Sequence, residues 1–212
     1  QNKLWSGMAK ETAHQIGTPL SSLIGWTELL KLENVNPEYT SEIEKDIVRL
    51  QTITDRFSKI GSIPTLEKTD IINATQESFD YLKKRSSKLI NFEFSAPNEP
   101  ILVDLNAPLY SWTIENLVKN SIDAMKGKGD LKIEVLNTDR YVKVHVSDTG
   151  KGLAKQNFKK IFDPGYTSRK RGWGLGLSLA KRIIEDYHNG RIKVKSSTLG
   201  KGTVMEISLK RL

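Results

Sequence analysis

The sequence predicts an α+β chain: an N-terminal antiparallel helical hairpin followed by a two-layer α/β sandwich. Three observations carry that expectation. From Lys3 to Ile60 apolar residues recur at helical spacing, broken once by Asn34-Val35-Asn36-Pro37. Gly61-Ser62-Ile63-Pro64-Thr65 then combines a helix stop with a proline. Beyond it the pattern changes to short strands of alternating polarity mixed with amphipathic helices, so helices cover one sheet face and leave the other more exposed. The expected division is a hairpin over residues 1–66 and a second domain over 67–212.

In the first helix Leu4, Met8, Ile16, Leu20, Leu23 and Leu30 form the apolar series. In the second, from Glu38 to about Ile60, the series is Ile43, Ile47, Leu50, Thr54, Phe57 and Ile60. A lone hairpin buries little, so a homodimer forming a four-helix bundle is the economical way to cover both stripes. Thr69-Asp70 can cap a helix from Ile71 to about Ser86. Strands are expected at Ile90–Ser95 and Ile101–Asp104, then a helix over Ala107–Met125. Leu131–Leu136 and Tyr141–Ser147 read as a hairpin, with Val142, Val144 and Val146 on one face and Tyr141, Lys143 and His145 on the other. His145 is thereby expected to be a polar-face residue without special role. A helix from Leu175 to about Tyr187 ends at Asn189-Gly190, where His188 suits the helix dipole. Arg191–Ser196 and Thr203–Leu209 complete the sheet.

The chain has 212 residues, no cysteine and a formal net charge of +8. Without cysteine there are no disulfides or thiolate metal sites, which suits a reducing compartment. Lysines and arginines are interleaved with acids and form no basic-aromatic stripe, so no nucleic-acid partner is expected. No run of 18 apolar residues is present and the N-terminus lacks an apolar leader, so no membrane contact by this fragment is expected. Its expected location is the cytoplasm, as a piece of a longer protein whose remainder could be a membrane sensor.

Five stretches carry chemistry. Met8–Trp26 places His14 one helical turn from Thr18, with Pro19 removing the hydrogen bond to the Gln15 carbonyl and favouring a bend there. Asn116 and Asn120 lie four apart on one helix face, and amide oxygens suit a hard cation such as Mg²⁺. Asp148-Thr149-Gly150-Lys151-Gly152 follows a valine strand; its carboxylate can accept from an exocyclic amine, and its glycines let a flat base approach. Gly172-Trp173-Gly174-Leu175-Gly176-Leu177 opens a helix and offers backbone N–H groups to phosphate. It is neither a Rossmann fingerprint nor a P-loop. Ser168-Arg169-Lys170-Arg171 supplies cations upstream, and Phe162-Asp163-Pro164-Gly165-Tyr166 an apolar anchor. Gly200-Lys201-Gly202-Thr203 precedes the last strand. Each alone reads as an ordinary loop or helix; the set in this order does not.

That set resembles the cytoplasmic core of a two-component sensor histidine kinase over essentially the whole chain. The hairpin resembles the dimerisation and histidine-phosphotransfer domain, and the remainder the Bergerat ATP-binding fold of the GHKL superfamily. The resemblance implies that His14 is the phosphoacceptor and that Asn116 and Asn120 form the N box, with Asn120 the Mg²⁺ ligand. Asp148 would bind the adenine amine beside Gly150 and Gly152. It further implies that Phe162 marks the F box, Lys170 and Arg171 the lid, and Gly172, Gly174, Gly176 and Leu177 the phosphate-facing box, with Gly202 and Thr203 in the last one. ATP and Mg²⁺ are the implied cofactors, and a response regulator receiver domain the implied partner.

The sequence departs from the family pattern at Gln15, where an acidic residue usually follows the histidine. Glutamine can hydrogen-bond but cannot take a proton at neutral pH. That change bears on autophosphorylation, and on a phosphatase activity that uses the acid with the Thr18 hydroxyl. Gly17, Gly165-Tyr166 and Asp123 also differ from the usual residues. A GHKL-type ATPase and a dimeric ATP-binding signalling scaffold are the alternative readings.

Overall fold

The computed structural model describes residues 2–33, 35–60, 64–167 and 174–212, and of these the side chains of 2–14, 49, 53 and 55–60 are left undescribed. The chain divides into two compact units, Gln1–Pro64 and Thr65–Leu212. Of the expected hinge at Gly61–Pro64, only Pro64 lies within the described residues.

The first unit is a helical hairpin, α1 (Asn2–Leu32) and α2 (Pro37–Ile60). The chain is helical on both sides of Pro19. Asn36 starts α2: its Oδ1 accepts from the Glu38 N–H at 3.0 Å, and Pro37 follows where a missing N–H does no harm. Leu20 and Ile47 are buried between the helices, whereas Trp26 is 63% exposed and Ile43 and Leu50 are 38% exposed. The seam read from the sequence is therefore only partly covered within one chain.

The second unit runs β1 (Glu67–Asp70), α3 (Ile71–Arg85), β2 (Ile90–Ser95), β3 (Leu102–Leu105), α4 (Ala107–Ala124), β4 (Gly129–Asn137), β5 (Tyr141–Asp148), α5 (Gly176–Arg182), β6 (Arg191–Thr198) and β7 (Gly202–Lys210). A five-stranded sheet has the order β2-β4-β5-β7-β6, with β2 parallel to β4 and the other pairs antiparallel. Helices α3, α4 and α5 pack on one face, making the two-layer sandwich. Val142, Val144 and Val146 of β5 and Leu131, Ile133 and Val135 of β4 meet Ile114, Leu117 and Val118 of α4 in that core. Each such side chain contributes about 1.5–3 kcal/mol by leaving water. Among the described residues, no helix is long and apolar enough to cross a membrane.

Three expectations are corrected. The strand near Ile101 is not part of the main sheet: β3 pairs with β1, a strand that the sequence pattern hid, in a separate antiparallel ladder. The helix expected to reach Tyr187 does so, but after Arg182 it is a π-helical turn, Ile183–Tyr187, in place of a regular α-helix. It ends with Asn189 in the left-handed region and the Gly190 N–H donating to the Ile184 carbonyl at 2.9 Å.

The third correction concerns the histidines. His145 is only 3% exposed, although it lies on the helix-free face of the sheet. Its Nε2 is 2.9 Å from Glu206 Oε2 on β7, and Glu206 Oε1 is 3.1 Å from Lys193 on β6. Burial pushes the Glu206 carboxyl up, but the bonds from His145 and Lys193 outweigh it and hold it below its ordinary value. His188 is buried as well. Its Nδ1–H donates to the Ile183 carbonyl at 2.7 Å and its Nε2 accepts the Asn106 N–H at 2.9 Å. Burial lowers its pKa, so it is no cation serving the helix dipole.

Candidate active site

Two clusters meet along α4. At the first, α4 presents Asn116 half-buried, and α5 begins against it. A Cβ on Gly176 would stand 3.1 Å from Asn116 Oδ1, so glycine permits the approach. The Asn116 Nδ2 is buried and has no hydrogen-bond partner. An orphaned buried donor costs about 1–3 kcal/mol, and an anionic oxygen would satisfy it. Asn120, also half-buried, lies one turn further along α4.

At the second cluster, Asp148 ends β5 opposite Thr203 in the β5–β7 ladder. The Gly150 N–H donates to Asp148 Oδ1 at 2.9 Å, and the Ser121 hydroxyl and Thr203 N–H also donate to the carboxylate. Burial pushes the carboxyl up; the three donors pull it down without cancelling the shift, which stays upward. A carboxylate has about four acceptor positions, so one remains for a donor such as an amine. Ser121 follows Asn120 directly, so one helix supplies both clusters.

The glycines serve the protein's own packing. A Cβ on Gly150 would lie 2.6 Å from the Ala124 carbonyl carbon, and one on Gly152, at φ +68°, would lie 2.1 Å from the Thr198 oxygen. At these two positions the missing side chains admit the end of α4 and the β6–β7 turn. Gly202, at φ +118°, brings β7 so close to Asp148 that a Cβ would stand 1.8 Å from its carbonyl oxygen. Thr203 shares a 2.9 Å hydrogen bond with Ser197, which also accepts the Leu153 N–H.

Phe162 is buried in the core, with Lys181 Nζ 5.8 Å from its ring centroid. Leu177 packs against the same core. The Gly165 N–H donates to the Gly174 carbonyl at 3.1 Å, which pins together the two ends of the segment between them. Lys170, Arg171 and Gly172 of that segment lie outside the described residues. In the hairpin unit, His14 falls in α1 with its side chain undescribed, and Gln15 and Thr18 are exposed.

The donor set suits a nucleotide: an acceptor carboxylate for a base amine and an amide N–H for phosphate oxygens. Among the described residues, no three His, Asp or Glu side chains gather for a metal ion. A Mg²⁺ ion shared with phosphates takes few protein ligands, and the Asn120 amide oxygen is of the right kind.

Residues 108–212 match the family model described as histidine kinase-, DNA gyrase B- and HSP90-like ATPase, and residues 4–63 match the His Kinase A (phospho-acceptor) domain. The chain is a histidine kinase core. Sporulation kinase D of Bacillus subtilis (strain 168) is 31% identical over 95% of the chain, which covers 41% of that relative. The catalytic domain of histidine kinase ThkA superposes with a TM-score of 0.63 at 28% identity, over 70% of this chain and 97% of that one. ThkA in complex with the response regulator protein TrrA matches at 27% identity and a TM-score of 0.63, over 97% of this chain and 61% of that one. The chain spans less than half the length of the curated relatives it matches.

Within this kinase core, sequence reasoning missed Ser121, Ser197, Asn106 and His188. Ser121 had one usable signal, a small polar residue on the buried face of an amphipathic helix. The other three are ordinary residue types in loops and strands, and only tertiary contacts single them out.

Proposed function

We propose that this fragment transfers the γ-phosphoryl group of ATP to an imidazole nitrogen of His14, and from there to an aspartate on a response regulator receiver domain. In the first step a P–N bond forms, the bond from Pγ to the β–γ bridging oxygen breaks, and ADP leaves. The carrying observation is that one helix, α4, ties the orphaned Asn116 donor to Asp148 through Ser121. Asp148 accepts from the adenine amine with Thr203 beside it, and Asn116 donates to phosphate. Mg²⁺, held by the Asn120 amide oxygen, would neutralise charge on the transferring phosphates. Lys170 and Arg171 add cations over the same groups.

Gln15 cannot take the proton that His14 loses. An imidazole with an unperturbed pKa of about 6.5 is already mostly neutral at physiological pH, so attack proceeds with the proton passing to solvent. The exposed apolar residues Leu23, Trp26, Ile43 and Leu50 support a homodimer, with a second hairpin covering them. The response regulator partner is supported by the ThkA complex.

Hydrolysis is the weaker reading. Water attack calls for a base, whereas α4 offers amides at Asn116 and Asn120, and the neighbouring Glu115 carboxylate is bound to Lys119 at 2.6 Å. Gln15 gives the scaffold reading its one specific support. Incubating the purified fragment with γ-³²P-ATP separates the three. Acid-labile, base-stable label on the wild type that disappears in His14→Gln is expected. Label persisting on a histidine in His14→Gln sinks the acceptor assignment, free phosphate without labelled protein means a hydrolase, and binding without either means a scaffold.

A further inference from the structure

The two helices that frame the nucleotide cluster are held at both ends. Near the phosphate side, Gly176 at the start of α5 abuts Asn116. At the far side, His188 follows the π turn that ends α5 and reaches the residue that begins α4. The helices therefore run antiparallel, with the nucleotide cluster at one end of the pair and His188 at the other.

The bonding of His188 is specific. Its Nδ1–H donates to the Ile183 carbonyl, five residues back, at 2.7 Å. Its Nε2 accepts the Asn106 N–H at 2.9 Å. One nitrogen must carry the proton and the other must not, so the ring is neutral and in one tautomer. Asn106 is itself the N-cap of α4: its Oδ1 accepts from the Leu109 N–H at 3.2 Å, and its Nδ2 donates to the Thr65 carbonyl at 3.0 Å. The clasp thus joins the end of α5, the cap of α4 and the first residue of the unit. A one-residue slide of α5 along α4, about 1.5 Å, would break the His188–Asn106 bond and move Gly176 off Asn116.

We propose that His188 is a positioning residue for nucleotide binding: its neutral ring fixes the axial register of α5 against α4, and so the seat of Gly176 on Asn116. His188→Gln keeps one amide donor and one acceptor, whereas His188→Met keeps the volume and supplies neither. Titration of the 212-residue chain with a non-hydrolysable ATP analogue, below the melting transition, reads the effect. His188→Met is expected to bind about tenfold more weakly, the equivalent of one lost hydrogen bond, and His188→Gln within about threefold of wild type. A purely structural histidine would lower the melting temperature of His188→Met and leave the affinity of the folded protein unchanged, which would overturn the proposal. Failure of a folded His188→Gln to recover affinity would do the same. Should His188→Met not fold, ¹⁵N spectra of the wild type decide: a neutral ring protonated at Nδ1 supports the clasp, and a ring protonated at Nε2 overturns it. Wild-type protein that binds no nucleotide yet shows the Nδ1–H tautomer would overturn the nucleotide reading, and this role with it, while keeping the clasp.

Discussion

Replacing Asp148 with asparagine removes one charge and almost no volume, which makes it a sharp probe of the site. The native carboxylate accepts from the Gly150 N–H at 2.9 Å, from the Thr203 N–H and from the Ser121 hydroxyl. Asparagine has one acceptor oxygen. The two backbone donors cannot reverse, so that oxygen must serve them, while Ser121 can rotate its hydroxyl to accept from the new amide. The position left for a ligand amine then faces a donor. Losing a hydrogen bond to a charged acceptor is worth about 1.5–3 kcal/mol, or roughly 10- to 150-fold in Kd for an ATP analogue. Calorimetric titration measures it, and a parallel melting curve shows that the variant is folded. A folded variant with wild-type affinity would refute the assignment of Asp148 to the base. The pH dependence carries a second check. Burial raises the folded pKa of Asp148 above its reference of 3.8, so between those two values the folded chain binds more protons than the unfolded one. This group's contribution therefore favours the fold increasingly as pH falls through that window, while nucleotide affinity drops as the acceptor is protonated. Asp148→Asn should remove both trends.

Two further predictions concern how the site is held. Gly202→Ala sets a Cβ 1.8 Å from the Asp148 carbonyl oxygen at φ +118°, and because the obstacle is backbone no rotamer relieves it; nucleotide binding should be lost. Gly200→Ala, at φ +73° with nothing within 4 Å, should add only about 1–2 kcal/mol of strain and keep binding, and equal effects of the two would refute the contact argument. In the α3–α4 core the Thr75 hydroxyl donates to the Ile71 carbonyl at 2.6 Å, so the buried Tyr110 hydroxyl, 2.7 Å away, must donate to Thr75. Tyr110→Phe then deletes one bond, about 1 kcal/mol, whereas Thr75→Val also orphans the phenol, about 1–3 kcal/mol. Urea denaturation of the two variants checks the order, and a larger loss in Tyr110→Phe would reverse the donor assignment.

What the sequence made legible was whatever is written locally. The valines of β5 alternate, the cap at Asp70 precedes its helix, and Asn116, Asp148 and Gly176 sit in short motifs whose spacing is their signal. The strand β1 reads Glu67-Lys68-Thr69-Asp70, with no apolar residue to announce it, and it is a strand only because β3 pairs with it. His145 alternates with valines as a surface residue would. Its hydrogen-bond partner Glu206 lies directly opposite in β7 and 61 residues later, and periodicity carries no cross-strand register. The π turn at Ile183–Tyr187 has the same apolar pattern as an α-helix, so periodicity does not set it apart. The glycines were visible as exceptions, but what they admit was not: Ala124 and Thr198 lie 26 and 46 residues from Gly150 and Gly152. The same division separates the residues that meet a nucleotide from those that hold them. Asp148 and Asn116 are recognisable by motif, whereas Ser121, Asn106 and His188 are ordinary residues given their roles by partners distant in sequence. Affinity can therefore change through the supports while every motif stays intact.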